Sequence, residues 1–365
     1  MVTGTGIARK KKKPELSALR PLLLDWYARA RRDLPWRATR DPYAIWVSEI
    51  MLQQTRVAAV LDRYRAFLDL FPTVQALAAA SEADVLAAWS GLGYYRRARM
   101  LHRAAQVVCA EQNGRIPGSF AALRELPGVG RYTAAAIASI AFDEPVAAVD
   151  GNVERVLLRL MGWGSDDPAA QRGHLRRAAS TADLLLDPAA PGDWNQAMME
   201  LGATVCLPRG PRCQECPWIA ACATRGEHAS VKRPPMRSIE IAHAWTTRGG
   251  RRGEQLLLVE RSAAETVMPG MWELPRCEAE GKADGERPSA EPLLRLRHAI
   301  MQVNYQVAIH RVESALPLPK GCTSRWVSAD EAASLPLTGL TRKAMRAMGW
   351  LPGGLPQRSR EAGTT

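Results

Sequence analysis

The spacing of the hydrophobic residues changes about two thirds of the way along the chain, and this change constrains the fold most. From Glu15 to about Thr224 they recur at helical spacing, as in 153–161 with its i, i+3, i+4, i+7, i+8 pattern. In 303–310 they alternate with polar residues, which is the period of a half-buried strand. The segment 225–238 between these regions is polar, basic and holds two prolines, as linkers do.

These patterns predict a multi-domain chain in which an all-α domain precedes an α+β domain. The predicted segments are a basic disordered arm 1–14, a helical domain 15–224, a linker 225–238, an α+β domain 239–352 and a disordered tail 353–365. Asp41 followed by Pro42 is typical of a helix start, and Asp150 precedes another helix. A last helix is predicted at Thr341–Trp350.

The charge of the chain indicates what kind of partner it binds. A formal net charge of +12 favours a polyanion, either nucleic acid or an acidic membrane, although a soluble protein without such a partner can also be basic. No apolar run approaches the roughly 18 residues of a membrane span. The basic run Arg9–Lys13 is not followed by an apolar stretch of the signal-peptide type. The seven cysteines, an odd number in a long chain, do not indicate a disulfide framework, so we expect a protein of the reducing cytoplasm.

Four of the seven cysteines crowd into one short loop with the spacing C-x6-C-x2-C-x5-C. They are Cys206, Cys213, Cys216 and Cys222. Four thiolates close together can hold a tetrahedral zinc or a cubane iron–sulfur cluster, and the presence of only one C-x2-C pair favours the cluster. Arg209 and Arg212 lie in the same loop, so the metal would also brace a basic surface against phosphates.

The stretch LPGVGRYTA, residues 126–134, predicts a glycine turn that opens a helix. Gly128 and Gly130, with Arg131 after them, would expose backbone N–H groups that bind a DNA phosphate without reading the base sequence. An ordinary helix-to-helix turn has the same residues, so the turn alone leaves both interpretations open.

Two carboxylates in unlike surroundings are candidates for acid–base chemistry. Glu49 lies in the apolar run IWVSEIML, and burial there would raise its pKa into the range of a general acid. It could instead be exposed on an amphipathic helix. Asp150 could be only a helix cap. Together, one carboxyl could protonate a leaving base while the other stabilises an oxocarbenium-like sugar, as in glycoside hydrolysis.

Several motifs in a fixed order resemble those of the MutY adenine DNA glycosylases of the helix-hairpin-helix superfamily, which also contains endonuclease III. They are LPWR, SEIMLQQTRV, GLGYYRRARMLH, LPGVGRYTAAAI, VDGNVERVL, NQAMMELGATVC and the cysteine loop 206–222. The resemblance implies a helix-hairpin-helix glycosylase domain with one [4Fe–4S] cluster on the four cysteines. Its substrate would be double-stranded DNA containing adenine paired with 8-oxoguanine or guanine, bound by a monomer at the bacterial nucleoid.

The resemblance also assigns roles to single residues. Glu49 corresponds to the general acid that protonates adenine at N7, and Asp150 to the carboxylate that stabilises the oxocarbenium ion. Asn152 and Tyr132 correspond to residues that support Asp150. Gln54 and Tyr94 correspond to side chains that enter the duplex as adenine flips out, because the reacting atoms are inaccessible in a stacked duplex. Trp36 and Arg37 fall in the segment that lines the adenine pocket.

Tyr132 bears on the reaction type. Endonuclease III-like relatives that cleave the strand have a lysine at this place, whose amine forms a Schiff base. Tyrosine cannot form an imine, so the resemblance implies a monofunctional glycosylase that leaves an abasic site. The residues alone leave two other functions open, a lyase that acts on oxidised pyrimidines and a non-catalytic Fe–S protein that binds DNA.

The C-terminal part resembles the NUDIX-like domain with which MutY proteins recognise 8-oxoguanine, through LLVERSAAETVMPGMWELP and RHAI. The clustered glutamates of a NUDIX hydrolase are missing after Glu273, so nucleotide hydrolysis is not expected. Ile300, Met301 and Gln302 stand where the family has Phe-Ser-His in its recognition loop. Gln302 can still donate or accept a hydrogen bond there.

Overall fold

The computed structural model describes the chain in several stretches, and all structural statements below concern these. They are residues 16–164, 173–228, 236–250, 253–262, 264–265, 267–277, 291–300, 302–313 and 322–352. The predicted arm and tail, the linker residues 229–235 and Met301 of the predicted recognition loop lie outside them. No helix among the described residues is long and apolar enough to cross a membrane.

The N-terminal two thirds of the chain is helical, as predicted, and strands follow it. The helices are α1 (Leu19–Ala30), α2 (Pro42–Leu52), α3 (Val57–Leu70), α4 (Val74–Ala79), α5 (Glu82–Ala88), α6 (Arg96–Glu111), α7 (Phe120–Arg124), α8 (Arg131–Phe142), α9 (Gly151–Met161), α10 (His174–Leu185), α11 (Pro191–Thr204), α12 (Ala329–Ser334) and α13 (Gly339–Ala347). The strands are β1 (Arg237–Trp245), β2 (Thr247–Gly250), β3 (Gly253–Glu260), β4 (Trp272–Glu273), β5 (Leu294–Ile300), β6 (Val303–Arg311) and β7 (Ser324–Val327).

The chain divides into two compact units that do not follow the order of the sequence. One unit comprises Met1–Gln54, Thr73–Gln75 and Arg103–Lys232. The other comprises Thr55–Pro72, Ala76–His102 and Arg233–Thr365, so most of the segment 55–102 belongs to the same unit as the C-terminal part. The domain boundaries expected from the sequence stay a prediction.

Helix caps fix the starts of the two helices that matter most for the site. The Asp41 side chain accepts hydrogen bonds from the first-turn N–H groups of α2, where Pro42 occupies the first position. The Asp150 side chain does the same for α9. Both predicted helix starts are confirmed, and each cap satisfies N–H groups that have no partner within the helix.

The core of the first unit positions the helices that carry the candidate site. The hydrophobic residues of α9 at helical spacing, among them Val153 and Leu157, are buried with Trp194 and Leu201 of α11. The two helices approach closely because Gly202 has no side chain. A Cβ atom on Gly202 would lie 2.7 Å from Cβ of Asn152, so this approach excludes every other residue.

The C-terminal part forms two small sheets with a helical cover. In the first sheet β6 lies between β1, which is parallel to it, and β5, which is antiparallel. In the second, β3 pairs with β2, β4 and β7, all antiparallel. The strand predicted in 303–310 is confirmed, and Val307 and Ile309 are buried with Leu256, Leu258 and Met345. The alternation is incomplete, because His310 on the other face is buried as well. The last helix ends at Ala347, three residues before the predicted end at Trp350.

Contacts within the second unit join the segment 55–102 to the C-terminal part. The buried Tyr95 hydroxyl donates to the backbone oxygen of Leu337 at 3.1 Å. The Arg99 guanidinium donates to the backbone oxygen of Pro269 at 2.5 Å. The start of α6 therefore depends on residues of the C-terminal part for some of its contacts.

Candidate active site

Glu49 lies in the middle of α2, a helix that is buried along almost its whole length. Only 6% of Glu49 is exposed, which decides between the two interpretations of its sequence environment in favour of burial. The pKa of Glu49 is raised to about 7, chiefly by burial and to a smaller extent by the negative charge of Asp150. The hydrogen bond from Tyr132 and the charge of Arg37 oppose the rise. A carboxyl with this pKa can hold or release a proton near neutral pH.

Tyr132 lies in the first turn of α8, and its hydroxyl donates to Oε2 of Glu49 at 2.8 Å. Sδ of Met199 lies 3.3 Å from the same hydroxyl. The resemblance implied that Tyr132 supports Asp150, whereas here its hydrogen bond goes to Glu49. Burial, followed by the charges of Glu49 and Asp150, raises the pKa of Tyr132, so the phenol stays protonated and acts as a donor.

Asp150 is held by three N–H donors. Its Oδ1 accepts from the backbone N–H groups of Asn152 and Val153 at 2.9 and 2.8 Å. Its Oδ2 accepts from Nδ2 of Asn152 at 2.8 Å. This set of donors matches a carboxylate, which only accepts. The cap and the candidate catalytic group are thus one side chain, oriented by the helix that it starts.

A residue that the sequence did not single out supports Asn152. Arg155, one turn along α9, donates from Nη2 to Oδ1 of Asn152 at 2.9 Å and to the backbone oxygen of Gly202 at 2.8 Å. Its Nε donates to the backbone oxygen of Cys206 at 2.9 Å. Asn152 therefore has both ends of its amide engaged, which fixes the amide that holds Asp150.

The two residues expected to line the adenine pocket lie in the short turn Pro35–Arg37, where Trp36 is buried. Arg37 Nη2 donates to Oε2 of the fully buried Glu200 at 2.7 Å. Arg32 donates to both oxygens of Glu200, at 2.8 and 2.6 Å. Burial alone would raise the pKa of Glu200, but the hydrogen bonds from the two arginines hold it at about 2. No sequence pattern singles out Arg32 or Glu200.

The glycine turn before α8 has the conformation that the sequence pattern predicts. Gly128 has φ of 76°, in the left-handed region, and Gly130 is the N-cap of α8. A Cβ on Gly130 would meet nothing within 4 Å, so the approach to the helix N-terminus is open on that side. Arg131 is exposed at the first helical position. That this turn binds a phosphate stays a prediction.

The two residues expected to enter the duplex both have a strained backbone. Gln54 has φ of 54° and Tyr94 has φ of 48°, and both are exposed. The left-handed conformation costs a residue with a side chain about 1–2 kcal/mol. Such strain gathers at functional sites, where the surrounding structure holds it in place.

The four cysteines of the loop line one cavity, together with the buried Arg159 and Trp218. Nη1 of Arg159 lies 3.5 Å from Sγ of Cys206, and the backbone N–H of Arg225 donates to Sγ of Cys222 at 3.4 Å. Among the described residues, no three metal-ligating side chains converge as a single ion requires. Arg209 and Arg212 are exposed on the same loop, which matches the expected basic surface.

Of the predicted recognition loop, Ile300 and Gln302 are described. Ile300 ends β5 and pairs with Val303, while Gln302 is exposed at the turn into β6. The backbone oxygen of Gln302 accepts from the N–H of Arg237 at 3.2 Å. The Gln302 side chain remains available at the surface. Tyr94, Ile300 and Gln302 belong to the second unit, whereas Glu49, Tyr132, Asp150, Asn152 and Arg37 belong to the first.

Comparison with solved structures shows where this fold occurs. A thermostable thymine-DNA glycosylase matches with a TM-score of 0.53 and 30% identity, over 57% of this chain and 96% of that chain. A trapped covalent complex of endonuclease III with DNA matches with a TM-score of 0.50 and 24% identity, over 59% of this chain and 97% of that chain. The second match shows a shared fold.

Comparison of sequences identifies the family. The HhH-GPD superfamily of base excision DNA repair proteins matches residues 47–179. Adenine DNA glycosylase from Rattus norvegicus is 49% identical over 217 residues, which cover 57% of this chain but only 42% of the rat protein. Adenine DNA glycosylase from Mus musculus is 33% identical over 404 residues, which cover 91% of this chain and 78% of the mouse protein. The breadth of this last match places the chain in the adenine DNA glycosylase family of the HhH-GPD superfamily.

Proposed function

We propose that the chain is a monofunctional DNA glycosylase that hydrolyses the N-glycosidic bond of adenine mispaired with 8-oxoguanine or guanine. One observation carries the proposal. Glu49 is a buried acid with a pKa of about 7, and it lies within electrostatic reach of Asp150, which three N–H donors hold. One carboxyl that holds its proton beside one that only accepts is the pairing that glycosidic-bond cleavage needs.

The reaction follows from the protonated Glu49 and the Asp150 carboxylate. Glu49 gives its proton to N7 of the flipped adenine, so the bond between C1′ and N9 breaks and adenine leaves with the bonding electrons. The positive charge left on the sugar faces the Asp150 carboxylate, which stabilises it. Water then adds to C1′ and loses a proton, which leaves an abasic site. Tyr132 has no amine, so no Schiff base forms and the strand stays intact.

Features outside the catalytic pair support the proposed substrate. Gln54 and Tyr94 present exposed side chains from a strained backbone, which suits insertion into a duplex. The turn at Gly128 and Gly130 and the basic surface at Arg209 suit phosphates. The mixed-sheet C-terminal part with Gln302 at a turn suits a NUDIX-like domain that recognises the 8-oxoguanine. We expect a monomer that acts on chromosomal DNA.

The cysteine loop fits one [4Fe–4S] cluster. Four soft sulfur donors line one cavity, and the buried Arg159 supplies a positive charge beside them. A cluster spans a larger volume than a single ion, so its ligands stand further apart than zinc ligands do. When bound, the cluster would supply no step of the hydrolysis and would hold the loop that carries Arg209 and Arg212.

One assay separates the candidate functions. Duplexes with adenine opposite 8-oxoguanine or guanine are incubated with the protein and analysed with and without alkali. Strand breaks only after alkali support the proposal. Breaks without alkali would assign the chain to the lyases instead, and absence of any product would leave a DNA-binding protein without catalysis.

A matched pair of variants tests the role of Glu49. Glu49→Gln should abolish excision while preserving DNA binding, because a carboxamide is far too weak an acid to protonate the base. Glu111→Gln removes one negative charge from an exposed position and serves as the control. Substantial excision by Glu49→Gln would contradict the assigned role.

A further inference from the structure

The loop that presents Tyr94 has an unusual backbone. Gly91, Gly93 and Tyr94 all have positive φ, at 99°, 68° and 48°. Glycine adopts these angles without steric cost, but tyrosine does not. The Tyr94 side chain is also 48% exposed, so little packing restrains its ring. Some other contact must hold this residue in place.

Arg97 makes that contact with the backbone of the loop. Its Nη2 donates to the carbonyl oxygens of Leu92 and Gly93, each at 3.1 Å, and to Oγ1 of Thr55 at 3.0 Å. Its backbone N–H donates to the carbonyl oxygen of Tyr94 at 2.8 Å. One side chain therefore ties two carbonyl groups of the loop to the residue that precedes α3 by two positions.

The same guanidinium also contacts two aromatic rings. Cζ of Arg97 lies 5.5 Å from the ring centroids of both Tyr94 and Trp89. Trp89 is fully buried, and its Nε1 donates to the carbonyl oxygen of Gly93 at 3.2 Å. Burial lowers the pKa of Arg97 to about 10, which leaves it protonated at neutral pH. The Tyr94 ring is thus linked through Arg97 to the buried Trp89.

We propose that Arg97 is a positioning residue that holds the Tyr94 ring in its projecting orientation before DNA binds. This inference rests on the proposed function, in which Tyr94 enters the duplex as adenine leaves the stack. A ring that is already fixed loses little freedom on binding, so more of the binding free energy remains for unstacking the base. Lysine does not replace Arg97, because it has no planar guanidinium to lie against the Trp89 and Tyr94 rings while the terminal nitrogen bonds the loop carbonyls.

The test uses the full chain with Arg97→Met and Arg97→Lys. Arg103→Met, an exposed arginine on the same helix, controls for the loss of one positive charge. A 2-aminopurine beside the mispaired adenine reports unstacking by its fluorescence and needs no excision. Both Arg97 variants should lower the unstacking equilibrium about tenfold, the effect of one or two lost hydrogen bonds to a charged group. Unstacking equal to that of the wild type would overturn the proposal.

The same substitution made in a Tyr94→Ala variant distinguishes a positioning role of Arg97 from a merely structural one. In Tyr94→Ala, the further change Arg97→Met should have no additional effect on unstacking, because both act through one ring. An equal loss in both backgrounds would overturn the proposal.

Hydrogen exchange of the DNA-free chain gives a readout that does not depend on function. Amides of residues 89–97 should exchange faster in Arg97→Met, and unchanged exchange there would contradict the proposed role. A wild type that unstacks the base but excises no adenine would refute the proposed function alone. A wild type that leaves the base stacked would refute both.

Discussion

Glu49→Gln should make the protein more stable as well as inactive. The pKa of Glu49 is about 7 in the folded chain against 4.5 for a free glutamate, a difference of 2.5 units. At about 1.36 kcal/mol per unit, ionised Glu49 destabilises the folded state by about 3 kcal/mol. Below pH 4.5 the carboxyl is protonated in both states and there is no cost. The cost grows between pH 4.5 and 7, where only the unfolded chain has lost the proton, and is complete above pH 7.

Urea unfolding at two pH values measures this cost. The glutamine is neutral, similar in size and able to accept from the Tyr132 hydroxyl, so it should remove the charge and little else. At pH 8 the variant should gain up to about 3 kcal/mol in the free energy of unfolding, and at pH 5 less than about 1 kcal/mol. Glu111→Gln, with its exposed carboxyl, should change neither value. An equal gain for Glu49→Gln at both pH values would show that repacking, not charge, is responsible.

Three further substitutions test the hydrogen bonds of the site. Tyr132→Phe removes a donor to ionised Glu49, so the pKa of Glu49 should rise. The pH above which excision is lost should then increase by about 1–2 units. A pH–rate profile that is unchanged or shifted to lower pH would count against this hydrogen bond. Glu200→Gln leaves the guanidinium groups of Arg32 and Arg37 without the carboxylate that they bind. Because the Arg37 side chain is only 10% exposed whereas that of Arg32 is 38% exposed, the loss should be about 2–3 kcal/mol in urea unfolding at neutral pH. Because the pKa of Glu200 is lowered to about 2, this loss should shrink as pH falls from 4.5 towards 2, and a loss independent of pH would refute the ion pair. Asp150→Asn should keep the start of α9, because asparagine caps a helix as well as aspartate does. It should lower the single-turnover rate of excision on the order of a hundredfold or more, because the carboxylate charge is lost. A variant that unfolds, or one that excises adenine at the wild-type rate, would contradict this distinction between the capping and the catalytic role.

Local patterns in the sequence predict the elements that carry the site. Asp41 and Asp150 identify two helix starts because a cap is decided by residues within one turn of it. The alternation in 303–310 identifies β6 because side chains on one face of a strand share one environment. These features depend on neighbours in the chain, and the structure confirms them.

Contacts between residues that are distant in the chain have no local pattern in the sequence that predicts them. Glu200 and Arg32 are 168 positions apart, and nothing near either residue indicates that they pair. Glu49 shows a further limit, because α2 is buried on nearly all sides and its residues have no polar face that would reveal which way Glu49 points. The partner of the Tyr132 hydroxyl likewise depends on how α8 packs against α2, which spacing alone does not determine.

The pairing of the segment 55–102 with the C-terminal part bears on how truncated forms should be interpreted. A chain cut between the helical and the C-terminal parts would lose Leu337, the acceptor of the buried Tyr95 hydroxyl, and Pro269, the acceptor of Arg99. Both lost contacts lie at the start of α6, directly beside the loop that carries Tyr94. Poor activity in such a fragment would therefore be weak proof that the removed part recognises the lesion, because the remaining enzyme would itself be damaged. Point substitutions at Gln302 in the intact chain distinguish a loss of lesion recognition from structural damage to the helical part.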